Sequence, residues 1–307
     1  MTERGSTQIG RIVGALEVGG THVAATAVDT GNWQLLAPIQ RVSLDPAGSA
    51  DALTDGMASC ARAVLTAAPI LQLTSWGVAM PGPFDYATGI ARYTGVGKFE
   101  SLDGVAVGGR LRDGLFGTAG QRDAEGAVRF GNDADAFAIG EYLAGATRGI
   151  SRTAAITLGS GIGSCFLADG QPVDTGDAVP PGGEAHLIRV DGVPLEEIAS
   201  RRAILSAYLA ATGKQLDVKE IADRARHGQA AAVSVLDDYA STLGGALGPN
   251  FARFGVEKLV VGGSIAGAWD LFDPAFRAAL PDPELAIAIS ADAERSGLIG
   301  AASLALT

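Results

Sequence analysis

Arg129-Phe130-Gly131-Asn132-Asp133-Ala134-Asp135-Ala136-Phe137 and, eighteen positions on, Ala155-Ile156-Thr157-Leu158-Gly159-Ser160-Gly161-Ile162-Gly163 decide the fold of this chain. Ala127–Phe130 is short and apolar and reads as a strand; it delivers Asn132 and Asp133 to the start of a helix over Ala134–Ala146. Thr153–Leu158 and Ser164–Leu167 read as two further strands joined by the glycine-rich turn Gly159–Gly163, and Ala168-Asp169-Gly170-Gln171 closes a hairpin. A dinucleotide-binding fingerprint must open a helix, and this turn lies between strands, so that reading is set aside. Exposed backbone amides in such a turn can still cradle a phosphate. Asp133 has two readings. Asn or Asp ahead of a helix is a common N-cap, and on spacing alone the cap is the simpler reading; the other is a carboxylate held at a strand end to accept a proton.

Working outward, the first part of the chain has a related plan. Arg11–Val18 reads as a strand, Gly19-Gly20-Thr21 as a turn, and Val23–Val28 and Trp33–Ile39 as further strands of a meander. The first turn is either an ordinary glycine hairpin or a second phosphate cradle of amides plus the Thr21 hydroxyl. Ser49–Ala68 is a helix, with Leu53, Met57, Ala61, Val64 and Leu65 on one buried stripe. Ser75–Met80 is an apolar strand stopped by Pro81-Gly82-Pro83; Tyr86–Gly89 turns into Ile90–Tyr93. Gly97-Lys98 is not a P-loop ending, because Phe99 stands where Ser or Thr must meet magnesium and Arg92 where the first glycine belongs. Lys98 then either faces the ligand cleft or is a solvated loop lysine, the second being the simpler reading. Val105–Phe116 is a short helix and Gly117–Gly126 a polar connection.

Beyond the second glycine turn, Pro180–Pro194 is an irregular loop carrying Gly183-Glu184-Ala185-His186. Helices are expected over Glu196–Ala211, with Gly213 as the stop, and over Val218–Arg226 and Ala230–Phe254. Gly244, Gly245, Gly248 and Pro249 in the last of these point to close packing or to a ligand. Lys258–Val261 is a strand ending in Gly262-Gly263-Ser264 ahead of a helix, an arrangement suited to phosphate or nucleotide. Leu285–Ser290 is a strand and Asp292–Leu304 a closing helix. Two α/β lobes follow: a small one over residues 1–130, onto which the C-terminal helix of 291–307 packs back, and a large one over 131–290.

Bulk composition narrows the function. With 307 residues and 47% hydrophobic content, two well-filled lobes are the natural expectation. The net charge of −11 argues against nucleic-acid binding and against an anionic membrane surface. No apolar run is long enough to span a membrane, and Met1–Gly10 is polar with no signal core, so a cytoplasmic protein is expected. Cys60 and Cys165 lie far apart with no CxxC partner, which indicates neither a disulfide framework nor a cysteine-rich zinc site.

Five short motifs, in order, make the chain resemble the ROK family of sugar kinases. Leu16-Glu17-Val18-Gly19-Gly20-Thr21-His22 resembles the first phosphate motif, usually written with Asp for Glu17 and Lys for His22. Gly77–Pro83 resembles the family's Pro-Gly-Pro strand end, Gly131-Asn132-Asp133-Ala134 the sugar and catalytic motif, Leu158–Gly163 the second phosphate motif, and Val260-Val261-Gly262-Gly263-Ser264 the adenosine motif. The resemblance implies a two-lobed α/β, actin-like (RNase H-like) ATPase fold with the active site in the interlobe cleft. It implies magnesium-ATP-dependent phosphorylation of a hexose, commonly at carbon 6. Asp133 would be the base, and Asn132, Glu184, His186 and Glu196 would bind the sugar, with Glu197 competing for the last role. Glu17, Gly19, Gly20, Thr21, Gly159, Ser160, Gly161, Gly163, Gly262 and Gly263 would surround ATP, with magnesium near Glu17. A homodimer is expected by the same resemblance.

Three departures qualify it. Gly183-Glu184-Ala185-His186 is one residue shorter than the family's Gly-Glu-x-Gly-His, the family's cysteine-rich loop is missing so no structural zinc is expected, and Thr94–Gly97 supplies no asparagine for the sugar. The family also holds sugar-responsive repressors, but Met1–Leu16 is too short a stretch for a helix-turn-helix. A sugar-binding protein of kinase fold with little activity is the remaining alternative.

Overall fold

The structure, a computed structural model, describes residues 10–68, 71, 73–117 and 127–307. Most of the polar N-terminus and of the Gly117–Gly126 connection therefore lies outside the described residues. The chain divides into two compact units, one of residues up to Ala144 together with Glu294–Thr307, the other Gly145–Ala293.

The first unit is built on a sheet of β1 (Ile12–Val18), β2 (His22–Asp29), β3 (Gln34–Leu35), β4 (Gln40–Ser43), β5 (Ser75–Met80) and, after a small hairpin of β6 (Phe84–Asp85) with β7 (Ile90–Ala91), β8 (Ala127–Asn132). β1 and β2 are antiparallel, whereas β1, β5 and β8 run parallel. The strand expected over Trp33–Ile39 is reduced to Gln34–Leu35. Trp33, ahead of it, takes a positive φ of 58°, and Pro38, beyond it, has no N–H to donate, so pairing with β2 resumes only at β4, past Ile39. Helix α1 (Ala50–Ala67), capped by the Ser49 hydroxyl on the Ala52 amide at 3.2 Å, packs on one face with α2 (Val107–Phe116). Helix α3 (Asp133–Ala144) and the C-terminal helix, Ala293–Leu304, cross each other in the same unit.

That crossing explains where the division falls. It comes after Ala144 rather than after Phe130, because α3 packs on β5, β8 and the C-terminal helix. A Cβ on Gly140 would lie 1.8 Å from the Ser296 carbonyl oxygen, and one on Gly300 would lie 1.7 Å from that of Ala136, so the two backbones touch. Ser296 donates to buried Glu141 at 2.8 Å across the same contact.

The second unit repeats the sheet plan. β9 (Arg152–Leu158) and β10 (Ile162–Ala168) form an antiparallel hairpin, β11 (Gln171–Pro172) adds to its edge, and β14 (Lys258–Gly262) and β15 (Ala286–Ile289) lie parallel to β9. Between the two halves of this sheet come a two-residue hairpin, β12 (Arg189–Val190) with β13 (Val193–Pro194), and helices α4 (Leu195–Ile198), α5 (Arg201–Thr212), α6 (Val218–Arg226) and α7 (Ala230–Phe254). Helix α8 is Trp269–Ala278. In each unit the order is edge strand, antiparallel pair, then two parallel strands.

The single helix expected over Glu196–Ala211 is two. Ser200, extended at φ −119° and ψ 172°, separates α4 from α5, and the Arg201 amide donates to the Gly159 carbonyl at 3.3 Å. α7, in contrast, runs unbroken through its glycines. Added Cβ atoms on Gly244 and Gly248 would meet Phe276 and Pro281 at 2.5 and 2.6 Å, so these glycines serve packing against α8 and its following turn. Cys60 and Cys165 are buried, and neither forms a disulfide with a described residue.

Candidate active site

In the first unit three parallel strands end side by side, with Glu17 opposite Ala79 and Ala79 opposite Gly131. At about 4.8 Å per strand, Glu17 and the Asn132-Asp133 pair stand roughly 10 Å apart along one carboxyl-end edge. Ligands gather at such an edge because loops and helix N-termini converge there.

The structure separates the two roles that spacing left tangled at Asp133. Asn132 is the cap: its Oδ1 accepts from the Ala134 amide at 2.8 Å and from the Asp135 amide at 3.2 Å. Asp133 is the first helical residue. Its Oδ1 accepts from Ala134 at 2.9 Å, and Oδ2 accepts no hydrogen bond from a described residue. Burial pushes the Asp133 carboxyl above the usual carboxylate range, partly offset by the Lys98 charge and the Ala134 amide. Lys98 is half-buried, and its charge acts on Asp133, so of its two sequence readings the solvated loop lysine is the one the structure does not match.

Two tyrosines frame the pair. Asn132 Nδ2 donates to the Tyr86 hydroxyl at 3.1 Å, and Tyr86 donates to the Met80 carbonyl at 3.1 Å. Tyr93 is fully buried and donates to the Pro81 carbonyl at 2.6 Å, its phenol pushed up by burial and then by Tyr86 and Asp133. The Pro81–Pro83 strand end is therefore tied to Asn132 through side chains that no short motif contains.

The first glycine turn sits on the same unit. The Gly19 amide closes the hairpin on the His22 carbonyl at 2.8 Å, and the Gly20 and Thr21 amides donate to no described residue, which leaves them available to an anion. His22 Nε2 lies 3.9 Å from Glu294, whose carboxylate also takes the Arg41 guanidinium in a bidentate pair with Nε at 2.9 and 3.1 Å. Glu17 is half-buried and faces the C-terminal helix, its carboxylate over Gly297.

In the second unit the second and third glycine motifs come together. Leu158 pairs with Ile162, so Gly159, Ser160 and Gly161 form the turn and Gly163 already belongs to β10. The Ser160 and Gly161 amides donate to no described residue. Gly262 ends β14 opposite Thr157, and Gly263, at φ 90°, lies so close to Leu158 that a Cβ would meet its carbonyl at 2.3 Å. Ser264 stands 3.6 Å from the Cβ position of Gly159. The break before α5 adds a helix N-terminus to this turn, together with the buried Ser200 hydroxyl, which has no partner among the described residues.

Three of the residues expected to bind sugar lie in this unit. Glu196 lies over Gly161, with Oε1 only 2.0 Å from where a Cβ would be, and its carboxylate accepts no hydrogen bond from a described residue; Glu197 is exposed. Glu184 and His186 are half-exposed and meet at 3.6 Å, and the one-turn helix bearing His186 packs against α4, which bears Glu196. Among the described residues no group of three or more His, Cys, Asp or Glu side chains could hold a metal ion. A magnesium ion carried by ATP does not need one, since one or two carboxylates and the phosphates suffice, and Glu17 fits that requirement.

One unit thus carries a glycine hairpin on the same sheet as two strand-end carboxylates, and the other a glycine hairpin with the Glu196 carboxylate over it, within an α/β fold of two similarly planned units. Residues 13–307 match the ROK family, and the chain belongs to it. It is 26% identical to the glucokinase of Thermotoga maritima, across 94% of this chain and 95% of that one. Its fold is similar to that of the ROK hexokinase from Thermus thermophilus, with a TM-score of 0.77 at 24% identity, covering 96% of this chain and 98% of that one. A ROK family glucokinase from Streptomyces griseus, solved with glucose and AMPPNP, gives 0.69 at 22%, covering 96% and 99%. A ROK family transcriptional regulator gives 0.76 at 20%, covering 96% of this chain but 78% of its own. The fold is the actin-like, two-domain α/β ATPase fold expected from the sequence.

Proposed function

We propose that this protein is an ATP-dependent hexose kinase that transfers the γ-phosphoryl group to a sugar hydroxyl, that on carbon 6 of glucose or a related hexose. The observation that carries the reading is Asp133: a half-buried carboxylate at the carboxyl end of a parallel strand, relieved of capping by Asn132, with one oxygen unengaged and its proton affinity raised. A base of that kind is suited to take the proton of an attacking hydroxyl. Asn132 orients the sugar, and Glu184, His186 and Glu196 bind its hydroxyls. The Gly19–Thr21 and Gly159–Gly161 turns bind phosphate through their unpaired amides, and Gly262-Gly263 approaches the nucleotide. Glu17 would hold magnesium, which supplies charge neutralisation to the transferring phosphoryl group when bound. The kinship with a glucokinase supports the substrate class.

The same reading places the enzyme in the cytoplasm as a homodimer. None of the described helices is long and apolar enough to cross a membrane. ADP release with magnesium-ATP, measured across hexoses, ketohexoses and N-acetylhexosamines, tests the proposal. Sugar-dependent release is expected, strongest with glucose-type hexoses. Sugar binding by thermal shift with no ADP release from any of them would replace the kinase with a sugar-binding protein of kinase fold.

A further inference from the structure

Glu184 occupies a segment with little regular structure of its own. Single 3-10 turns span Pro181–Gly183 and Ala185–Leu187, and Gly182 and Gly183 take positive φ of 67° and 72°. The backbone bonds inside it are short-range: Gly183 to the Pro180 carbonyl at 2.8 Å, Glu184 to that of Pro181 at 3.1 Å, and Leu187 to that of Glu184 at 3.1 Å. Bonds of this kind shape the segment without anchoring it to the sheet.

One side chain anchors it. Ser164 is buried in β10, directly after Gly163 and in register with Ile156 of β9. Its hydroxyl donates to the Gly183 carbonyl at 2.6 Å and accepts from the Ala185 amide at 2.7 Å. These two groups flank Glu184 on either side, so a single hydroxyl grips the backbone around that residue. A hydroxyl can donate and accept at once, which a methyl group cannot, and removing it would leave a buried carbonyl and a buried amide without partners.

We propose that Ser164 is a positioning residue for sugar binding: by bridging Gly183 and Ala185 it fixes Glu184, and with it the Glu184–His186 pair, relative to the strand that leaves the second glycine turn. The proposal rests on the reading of Glu184 as a sugar ligand. It assigns to β10 a role beyond carrying Gly163, since the same strand holds the phosphate turn at one residue and the sugar segment at the next.

Steady-state kinetics of the full chain with glucose and magnesium-ATP test it, using Ser164→Ala and Ser164→Thr with thermal melts alongside. Ser164→Ala is expected to raise KM for glucose about 10-fold, the scale of a lost buried hydrogen-bond pair, with kcat and KM for ATP within about 3-fold of the parent. Ser164→Thr, which keeps the hydroxyl, is expected to restore KM. An unchanged KM for glucose in Ser164→Ala, with an active parent enzyme, overturns the positioning role and leaves the kinase reading intact. Parallel losses in every parameter together with a collapsed melting temperature, uncorrected by threonine, also overturn it, because they mark a packing role only. A parent enzyme that neither binds glucose nor releases ADP with it removes Glu184 from sugar binding, and the role of Ser164 falls with that reading.

Discussion

Replacing Gly161 with alanine separates a fold effect from a site effect. An alanine Cβ there would lie 2.0 Å from Glu196 Oε1 and 3.1 Å from its Cδ. Real Cβ contacts essentially never fall below 3.0 Å, so the Glu196 carboxylate must retreat by about 1 Å or more. The obstacle is the far end of a flexible side chain, and the backbone at Gly161 is not in a positive-φ conformation, so the fold absorbs the change. Stability should stay within about 1 kcal/mol of the parent, alanine losing less chain entropy on folding than glycine. Function should not be spared. A ligand group displaced by about 1 Å can cost up to about 10²-fold, and kcat/KM for the sugar is expected to fall about 10- to 100-fold. Coupled-enzyme assays of ADP release give kcat/KM, and a thermal melt gives stability. The same change made in a Glu196→Ala background should cost almost nothing more, because the obstructing carboxylate has gone. Strictly additive losses in that pair, or an unaltered kcat/KM in Gly161→Ala, would refute the placement of Glu196 in the sugar site.

Two further outcomes follow from the first unit. Asp133 has a folded pKa above its unfolded value of about 3.9, so its ionisation costs stability as pH rises through the folded pKa, and that cost is absent below the unfolded one. Asp133→Asn should therefore melt at a higher temperature than the parent at pH 7, with the gap closing as pH falls toward about 4; equal melting temperatures at pH 7 would contradict the burial of that charge. Gly300→Ala places a Cβ 1.7 Å from the Ala136 carbonyl oxygen, a backbone atom that cannot swing aside, and should lower stability by about 1–3 kcal/mol in urea denaturation. An unchanged midpoint would mean that α3 and the C-terminal helix do not cross at backbone contact.

The duplicated plan was legible because its markers are local. Apolar runs of strand length stop at glycines, Ser49 caps α1, and Gly213 stops α5 in a left-handed conformation. What escaped depended on partners distant in sequence. Trp33–Ile39 has strand-like residues, but Pro38 deprives the β2 edge of a donor and the run is cut back to Gln34–Leu35. The apolar stripe of Glu196–Ala211 hides the break at Ser200, which is fixed by the Arg201 bond to Gly159, more than forty positions back. Helix α3 belongs with the first unit because glycines 140 and 300 admit a backbone-to-backbone crossing, a fact no periodicity encodes.

The site divides in the same way. Asn132 and Asp133 stood out as a pair, but which one caps the helix was decided only by the hydrogen bonds to Ala134 and Asp135. Lys98 was discounted because its motif fails as a P-loop, although its charge acts on Asp133. Tyr86, Tyr93 and Ser164 carry no motif at all; each acts by reaching across to a carbonyl or amide of another segment.

The most direct test of the central claim is transfer of label from γ-labelled ATP to glucose by the parent enzyme and by Asp133→Asn, compared in single-turnover reactions at pH 7.5. Label is expected on the carbon-6 hydroxyl in the parent, with the rate in the variant lower by about 10²-fold or more and glucose affinity nearly unchanged. Transfer at near-parental rate in Asp133→Asn would contradict the assignment of Asp133 as the base.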